Sequence, residues 1–307
     1  MNTLKQINPV MNETHHYPVM SEEVVRLLDL SCKKIIVDCT LGLASHSLHF
    51  FDALPSDAHL IGIDRDEASL MLAADRLKNF EGRFTLVRGD FANLDIILAQ
   101  LKIAHVDAFF FDLGLSTYQL SDAERGFSLF KEGPLDMRMD KRSFVSAYDL
   151  VNNLSEDELE NIFRKFGQER YSKRISRALL EVRKREPIAT TAQLRDIVVH
   201  SVPASSFKYK IHPATRIFQA LRIAVNRELE VLGAGIEKAI GLLSKNGRIA
   251  VISFHSLEDR IVKHTLRRYS KEDILTLVTK KPLTPGTTEI GQNPASRSAK
   301  LRVAEKR

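Results

Sequence analysis

Apolar runs and amphipathic stretches alternate along the first third of the chain. Ile35-Ile36-Val37 closes on Asp38 and Leu60-Ile61-Gly62-Ile63 on Asp64. Phe84-Thr85-Leu86-Val87 leads to Gly89-Asp90-Phe91, and the run from Val106 to Phe111 closes on Asp112. Runs this short, bounded by turn residues, predict strands, and the unbroken Ala108-Phe109-Phe110-Phe111 predicts one covered on both faces. The stretches Ser69–Leu77 and Leu94–Leu101 carry their apolar residues on one side, as helices do. Alternation of this kind predicts an α/β chain on a parallel, doubly wound sheet, with residues 1–140 as the first part of its core.

Beyond Asp112 the periodicity stops. Leu115 to Ser128 and Gly133-Pro134-Leu135-Asp136-Met137-Arg138-Met139-Asp140 are rich in glycine, proline and charge, which predicts loop at the mouth of the sheet. Residues 141–212 then read as an inserted helical unit. Ser155-x-x-Glu158 and Thr190-x-x-Gln193 open helices as capping boxes, and Tyr171, Ile175, Ala178, Leu179 and Val182 form an apolar stripe between them. The core resumes over 213–270 with Ala214–Leu243 as one long helix or a broken pair, a fifth strand at Gly247–Phe254 and a helix capped by Ser256-x-x-Asp259. Residues 271–307 read as a basic tail in which Lys300-Leu301-Arg302-Val303-Ala304 forms a last edge strand. At the other end, residues before about 14 look untethered, and His15-His16-Tyr17-Pro18-Val19-Met20 leads to Ser21 as the cap of a first helix.

In an open sheet, ligands bind outside the carboxyl ends of the strands. Asp38, Asp64, Asp90 and Asp112 all stand at such ends, and four acids on successive strands point to a ligand crevice. A carboxylate ending the second strand can accept hydrogen bonds from both ribose hydroxyls of an adenosine, each contributing about 1.5–3 kcal/mol. Phe91 offers that adenosine a flat cover, or else a core contact. Two ligand classes use this device. A dinucleotide needs G-x-G-x-x-G to bring backbone against its pyrophosphate, whereas the first turn here, Gly42-Leu43-Ala44-Ser45-His46, holds one glycine. S-adenosylmethionine carries no phosphate and needs only a tight turn and the ribose carboxylate, so the turn favours it.

Charge adds a second theme. The net charge of +6 is unevenly placed: residues 141–212 hold 14 basic and 9 acidic side chains and residues 263–307 hold 11 and 4, leaving the rest of the chain acidic. Basic appendages on an acidic body suit a polyanion presented to the crevice. No apolar run approaches the roughly 20 residues of a membrane span, and no basic-then-apolar leader is seen, so a soluble, cytoplasmic protein without a membrane partner is expected. Cys32 and Cys39 match no zinc spacing and read as core thiols, and no metal is expected.

Several stretches carry a family resemblance: His16–Met20, Asp122-Ala123-Glu124-Arg125-Gly126-Phe127-Ser128, Gly133–Asp140, His212-Pro213-Ala214-Thr215-Arg216, Ser253-Phe254-His255-Ser256-Leu257-Glu258-Asp259-Arg260 and Asn293-Pro294-Ala295-Ser296-Arg297-Ser298. With them the chain resembles, over nearly its whole length, the bacterial 16S rRNA cytosine-N4 methyltransferases (the RsmH, or MraW, family). The resemblance implies a class I S-adenosylmethionine-dependent methyltransferase fold, Rossmann-like, with an inserted helical domain. It also implies methyl transfer to a cytidine amine in the decoding region of the small ribosomal subunit. Carried over by motif, cofactor contacts fall on Ala44, Ser45, His46, Asp64, Phe91, Asp112 and Gln119. The sequence departs from the family where Ala44 and Ser45 replace two glycines, and where Ser116-Thr117-Tyr118-Gln119 lacks a proline. Any need for positive φ at the turn would be strained.

The exocyclic amine of cytosine is a poor nucleophile, so the site must align it and accept its N–H groups. Asp112 is the first candidate for that role, with Asp136 and His255 behind it. His255 is equally suited to tying down a loop, and His46 to facing solvent on its helix. Arg138, Arg170, Lys173, Arg174, Arg177 and Arg216 are candidates for RNA phosphates, Arg138 and Arg216 equally for internal ion pairs. Two rival readings stay open: a non-catalytic RNA-binding or ribosome-assembly protein on the same fold, and an NAD-dependent oxidoreductase. Monomer and homodimer are both compatible with the sequence.

Overall fold

The computed structural model describes residues 18–203 and 211–307; the expectations for His15, His16, Tyr17 and the residues before them lie outside that range. Its seven strands, β1 (Ile35–Asp38), β2 (His59–Asp64), β3 (Phe84–Arg88), β4 (Val106–Asp112), β5 (Leu243–Ser253), β6 (Leu275–Leu277) and β7 (Lys300–Lys306), form one sheet in the order β3-β2-β1-β4-β5-β7-β6. The first five run parallel, with Val37 opposite Ile61 on one side and Phe109 on the other, so strand order reverses direction between β1 and β4. That switch point opens the crevice. This is the doubly wound α/β sheet that the alternation of strands and helices predicts.

Helices cover both faces. α1 (Ser21–Leu28), α2 (Ser45–Ala53) and α3 (Glu67–Leu77) pack Val24, Leu28, Phe50, Leu70 and Leu77 against Leu60 and Phe110. On the opposite face α4 (Leu94–Gln100) and later helices bury Leu94, Leu98, Ile236, Ile240 and Val262 against Ile61, Phe109 and Phe111. Alternate side chains of β4 thus feed two cores, which is why its sequence runs apolar without a break. Short α5 (Thr117–Ser121) follows β4. A third core belongs to α6 (Ala147–Asn153), α7 (Glu156–Gly167), α8 (Ser172–Arg183), α9 (Thr191–Ser201) and α10 (Thr215–Asn226). It also takes Phe127, Leu135 and Met137 from the preceding loop, so that loop is anchored in the helical unit. The capping boxes at Ser155 and Thr190 form as expected. A further one at Ser146 opens α6.

One open choice is resolved and three expectations are corrected. The stretch 214–243 is a broken pair, α10 and α11 (Glu228–Leu242), because Arg227 adopts a left-handed φ of 50° between them. The final strand is not at the edge: β7 runs antiparallel between β5 and β6, and β6 is the edge. Arg302 in this strand is covered, its guanidinium meeting Asp259 at 2.7 Å. That pairing also removes Asp259 from the cap of α12 (Ser256–Lys271), which is closed one residue earlier by His255 and Glu258. Ser21 is the first buried turn of α1, and Met20, in left-handed backbone, is its cap. α13 (Thr287–Gln292) completes the chain's helices near α1, where Glu289 accepts the Met20 N–H at 2.7 Å. Among the described residues no helix is long and apolar enough to cross a membrane.

Candidate active site

Asp64 and Asp112, ending β2 and β4, line one crevice. Asp64 Oδ2 accepts the Gly42 N–H and Oδ1 the Asp66 N–H, both at 2.8 Å. Each oxygen keeps a second lone pair for a ligand. Burial raises this carboxyl's pKa above its ordinary value, against the lowering effect of those two amides. The Asp112 backbone N–H donates to Thr40 Oγ1 at 2.6 Å, which fixes the residue at the strand end. Its Oδ2 lies 3.5 Å from His46 Nδ1, while its buried Oδ1 has no hydrogen-bond partner among the described residues. Burial pushes the Asp112 carboxyl well up, and the charges of Asp38 and Glu258 push in the same direction. The other two strand-end acids are occupied elsewhere. Asp38 accepts the Ser47 hydroxyl at 2.7 Å beneath α2 and is pushed up to about 6 by burial, whereas Asp90 pairs with Arg65 at 2.6 Å.

The turn between β1 and α2 stays open, with Gly42, Leu43 and Ser45 facing the crevice. Gly42 and Ala44 both take positive φ, +52° and 58°. Ala44 is thus an L-residue in a left-handed conformation, at a cost of roughly 1–2 kcal/mol, partly offset by its fully buried methyl at about 0.8 kcal/mol. Ala44→Gly is expected to stabilise the protein by about 0.5 kcal/mol, read as a higher urea midpoint; a loss of stability would contradict strain at this position. Ser45 Oγ accepts Arg76 at 3.1 Å, the same guanidinium that holds the Leu43 carbonyl at 2.6 Å. His46 does not face solvent: it is 6% exposed and its Nε2 meets the Val19 carbonyl at 2.9 Å. A carbonyl only accepts, so Nε2 carries the hydrogen and Nδ1 is turned to Asp112.

Phe91 borders the crevice, edge-on to Phe111 at 5.4 Å, with the Arg65 guanidinium 5.7 Å from its ring. Gly235 on α11 is needed there, since a Cβ would come within 2.4 Å of the Phe91 ring. Gln119 lines the crevice too, but its amide is in use: Oε1 caps α5 at Ser116 and Nε2 donates to Asp66 at 3.2 Å. Asp66 is buried against Arg125 at 2.8 Å, and Arg125 donates onward to the carbonyls of Arg138 and Met139. Asn226 completes this clamp, accepting the Met139 N–H and donating to the Met137 carbonyl, both at 2.8 Å. Sequence reasoning passed over Asp66, Arg125, Asn226 and Glu258 as site residues. Only Glu258 left a local signal, its capping-box spacing from His255.

Other candidates fall outside the crevice wall. Both Asp136 oxygens are held by Arg138 at 2.7 Å, and although burial works to raise its pKa, that guanidinium keeps the carboxyl below its usual value. Arg138 also donates to the Ser143 carbonyl at 2.7 Å, so this pair braces the loop. His255 caps α12 through Nδ1, with Nε2 3.1 Å from Glu258 Oε1. Glu228, His255 and Glu258 approach one another as metal ligands do, but Arg222 takes both Glu228 oxygens at 2.8 Å. Arg170, Lys173, Arg174 and Arg177 are exposed on and before α8, Arg177 within 3.5 Å of Glu156. Arg216 is exposed and reaches the Gln168 carbonyl at 3.4 Å; Gln168 in turn accepts the Ser256 hydroxyl at 3.2 Å, bringing the helical unit to the start of α12.

Comparison with known proteins agrees with this geometry. Residues 13–307 match the model described as the MraW methylase family. Curated relatives named ribosomal RNA small subunit methyltransferase H include that of Persephonella marina, 47% identical over 95% of this chain and 99% of its own length. That of Citrifermentans bemidjiense is 44% identical over 96% of this chain and all of its own length. A solved structure described as a putative rRNA-methylase from Clostridium thermocellum aligns with 94% of this chain and 98% of its own at TM-score 0.47 and 12% identity. The family match spans the sheet, the crevice loops and the helical unit together, and the chain belongs to the MraW methylase family.

Proposed function

We propose that this protein transfers a methyl group from S-adenosylmethionine to the exocyclic N4 amine of a cytidine in the decoding region of 16S rRNA, acting in the cytoplasm on the small ribosomal subunit. The observation that carries this reading is the pairing of two carboxyls in one crevice, Asp64 with lone pairs to spare and Asp112 with an unpartnered buried oxygen.

The residues fit the methyl donor. Asp64 would accept the ribose hydroxyls, Phe91 would cover the adenine, and the open turn at Gly42–Ser45 would pass the methionine portion. When bound, S-adenosylmethionine supplies an electrophilic methyl carbon, whose bonding pair to sulfur stays with sulfur as the amine nitrogen attacks. Asp112 accepts an N–H of the amine, keeps the nitrogen aimed, and takes the proton it must lose. His46 stands behind Asp112, anchored through its Nε2–H to the Val19 carbonyl, with Nδ1 3.5 Å from the carboxyl. Gln119 acts through Asp66, shaping the loop that closes the crevice.

A base inside folded rRNA must be unstacked to reach such a crevice. The helical unit, which we bound at 141–212, would hold the backbone through Arg170, Lys173, Arg174 and Arg177, with Arg216 at the junction. Neutralising the first four is expected to weaken small-subunit binding on the order of 10-fold at low salt and to flatten its salt dependence. Affinity for S-adenosylmethionine should not change; equal loss of both in titrations would contradict it. The reaction itself is tested by incubating the protein with labelled S-adenosylmethionine and small subunits from a strain lacking the activity, then digesting the RNA. Label in N4-methylcytidine is expected, and label in any other nucleoside, or none, defeats the proposal.

A further inference from the structure

Glu258 is an anomaly among this molecule's helix caps. It closes α12 as the third residue of a capping box, with Oε2 accepting the N–H groups of Phe254 at 2.8 Å and His255 at 3.2 Å. Other helices here are capped in the same way. In α5 and α9 the equivalent residue is a neutral glutamine, Gln119 and Gln193, in α6 it is the half-buried Asp149, and in α7 the equivalent Glu158 is exposed to water. Glu258 is 2% exposed, and it borders the crevice together with Asp112 and Phe254. Burying a charge is costly and capping does not require one; at 258 His255 and Arg222 offset that cost, and the carboxylate they sustain stands in the crevice wall.

We infer that Glu258 is a positioning residue for methyl transfer: a fixed, buried anion sharing the crevice with Asp112, which holds negative potential on the Asp112 carboxyl while that group accepts the proton of the substrate amine. The inference rests on the role proposed above for Asp112. In the step concerned, the N–H bond of the methylated amine breaks, its electron pair returns to nitrogen, and the proton passes to Asp112 and from there to solvent. The groups facing this end of the crevice are Cys39 after β1, His46 on α2, Glu258 on α12 and Glu228 on α11, whose charge Arg222 neutralises; Asp38, ending β1, and His255, capping α12, lie outside its wall. Asp38 and Glu258 are the anions whose charge reaches Asp112, and both raise its proton affinity on top of the effect of burial. Glu258 is suited to stay ionised: burial works against its charge, yet His255, Arg222 and the Phe254 amide together hold its carboxyl below the usual range. A base of raised proton affinity is a stronger acceptor, and its deprotonation sets the acid limb of the rate profile.

The test compares the pH dependence of kcat, on small subunits with saturating S-adenosylmethionine, for the wild type, Glu258→Gln and Glu258→Asp. Glutamine keeps an acceptor for the two backbone amides and removes the charge; aspartate keeps the charge. With glutamine the acid limb is expected to move down by about one pH unit, the alkaline plateau to fall roughly 3–10-fold, and KM for S-adenosylmethionine to hold. With aspartate the limb should stay in place. A uniform drop with the limb unmoved, or equal shifts in both variants, overturns the inference. A carboxyl-13C titration of wild-type Asp112 needs no variant to fold, and an ordinary aspartate midpoint there also overturns it. Failure of the underlying reading looks different: Asp112→Asn would then keep its activity, whatever Glu258 does.

Discussion

Asp112→Asn is expected to lower methyl transfer at least about 100-fold while S-adenosylmethionine binding stays within a few fold of wild type. Asparagine preserves the shape of the side chain and leaves the backbone bond to Thr40 in place. It can accept an N–H, but it cannot take the proton that the amine has to lose. The same variant should also be more stable, in a pH-dependent way. Burial raises the Asp112 pKa in the folded state above its unfolded value, with Asp38 and Glu258 adding to the effect. The unfolded chain therefore ionises first, and the wild type loses stability as pH rises from the ordinary carboxylate range to the folded pKa. Asparagine removes that loss, so its melting temperature should exceed wild type at alkaline pH and converge with it below the ordinary carboxylate range. An active variant, or one with no gain in melting temperature at high pH, would remove Asp112 from the role given to it.

The second large effect concerns the clamp beneath the loops. Arg125→Leu or Asp66→Asn is expected to cost about 3–5 kcal/mol, because removing one member of a buried pair strands the other charge. Asp66 and Arg125 are 5% and 3% exposed and meet at 2.8 Å. Around them Gln119 donates to Asp66, while Arg125 donates to the carbonyls of Arg138 and Met139. One ion pair thus joins the start of α3, the loop after β4 and the loop leading into the helical unit. Urea unfolding reads the cost directly, and a loss below about 1 kcal/mol in both single variants would place the pair among the weak surface bridges. The double variant Asp66→Asn with Arg125→Leu should recover part of the loss, since no charge is then left buried.

The parallel half of the sheet was legible because β1, β2 and β4 close on an acid, an acid follows β3 within two residues, and each helix shows one apolar face, all local signals. What lay beyond reach was the direction each acid takes. Asp38 and Asp64 have the same sequence setting, yet Ser47 draws one beneath α2 and the Gly42 amide leaves the other in the crevice. For Arg138 the sequence left an internal ion pair and a phosphate contact equally open, and Asp136 with the Ser143 carbonyl takes it inward. The resemblance to the methyltransferase family supplied the site positions that spacing could not. The clamp residues Asp66, Arg125 and Asn226 stayed invisible because their partners are separated from them by up to 89 residues. β6 was missed for the opposite reason: three residues at an edge, with only Leu275 fully covered, are too short to show a period.

The place of β7 between β5 and β6 bears on how the newborn chain is handled. As the polypeptide leaves the ribosome, β5 emerges well before the segment that must lie beside it, so residues Arg248–Ser253 present an unsatisfied row of amides and carbonyls in the interval. Apolar and flat, such a row invites pairing between neighbouring nascent chains. The basic seventh strand follows β6 in the chain and lies between it and β5. The exposed edge of β5 is therefore closed only once β7 has been made and paired.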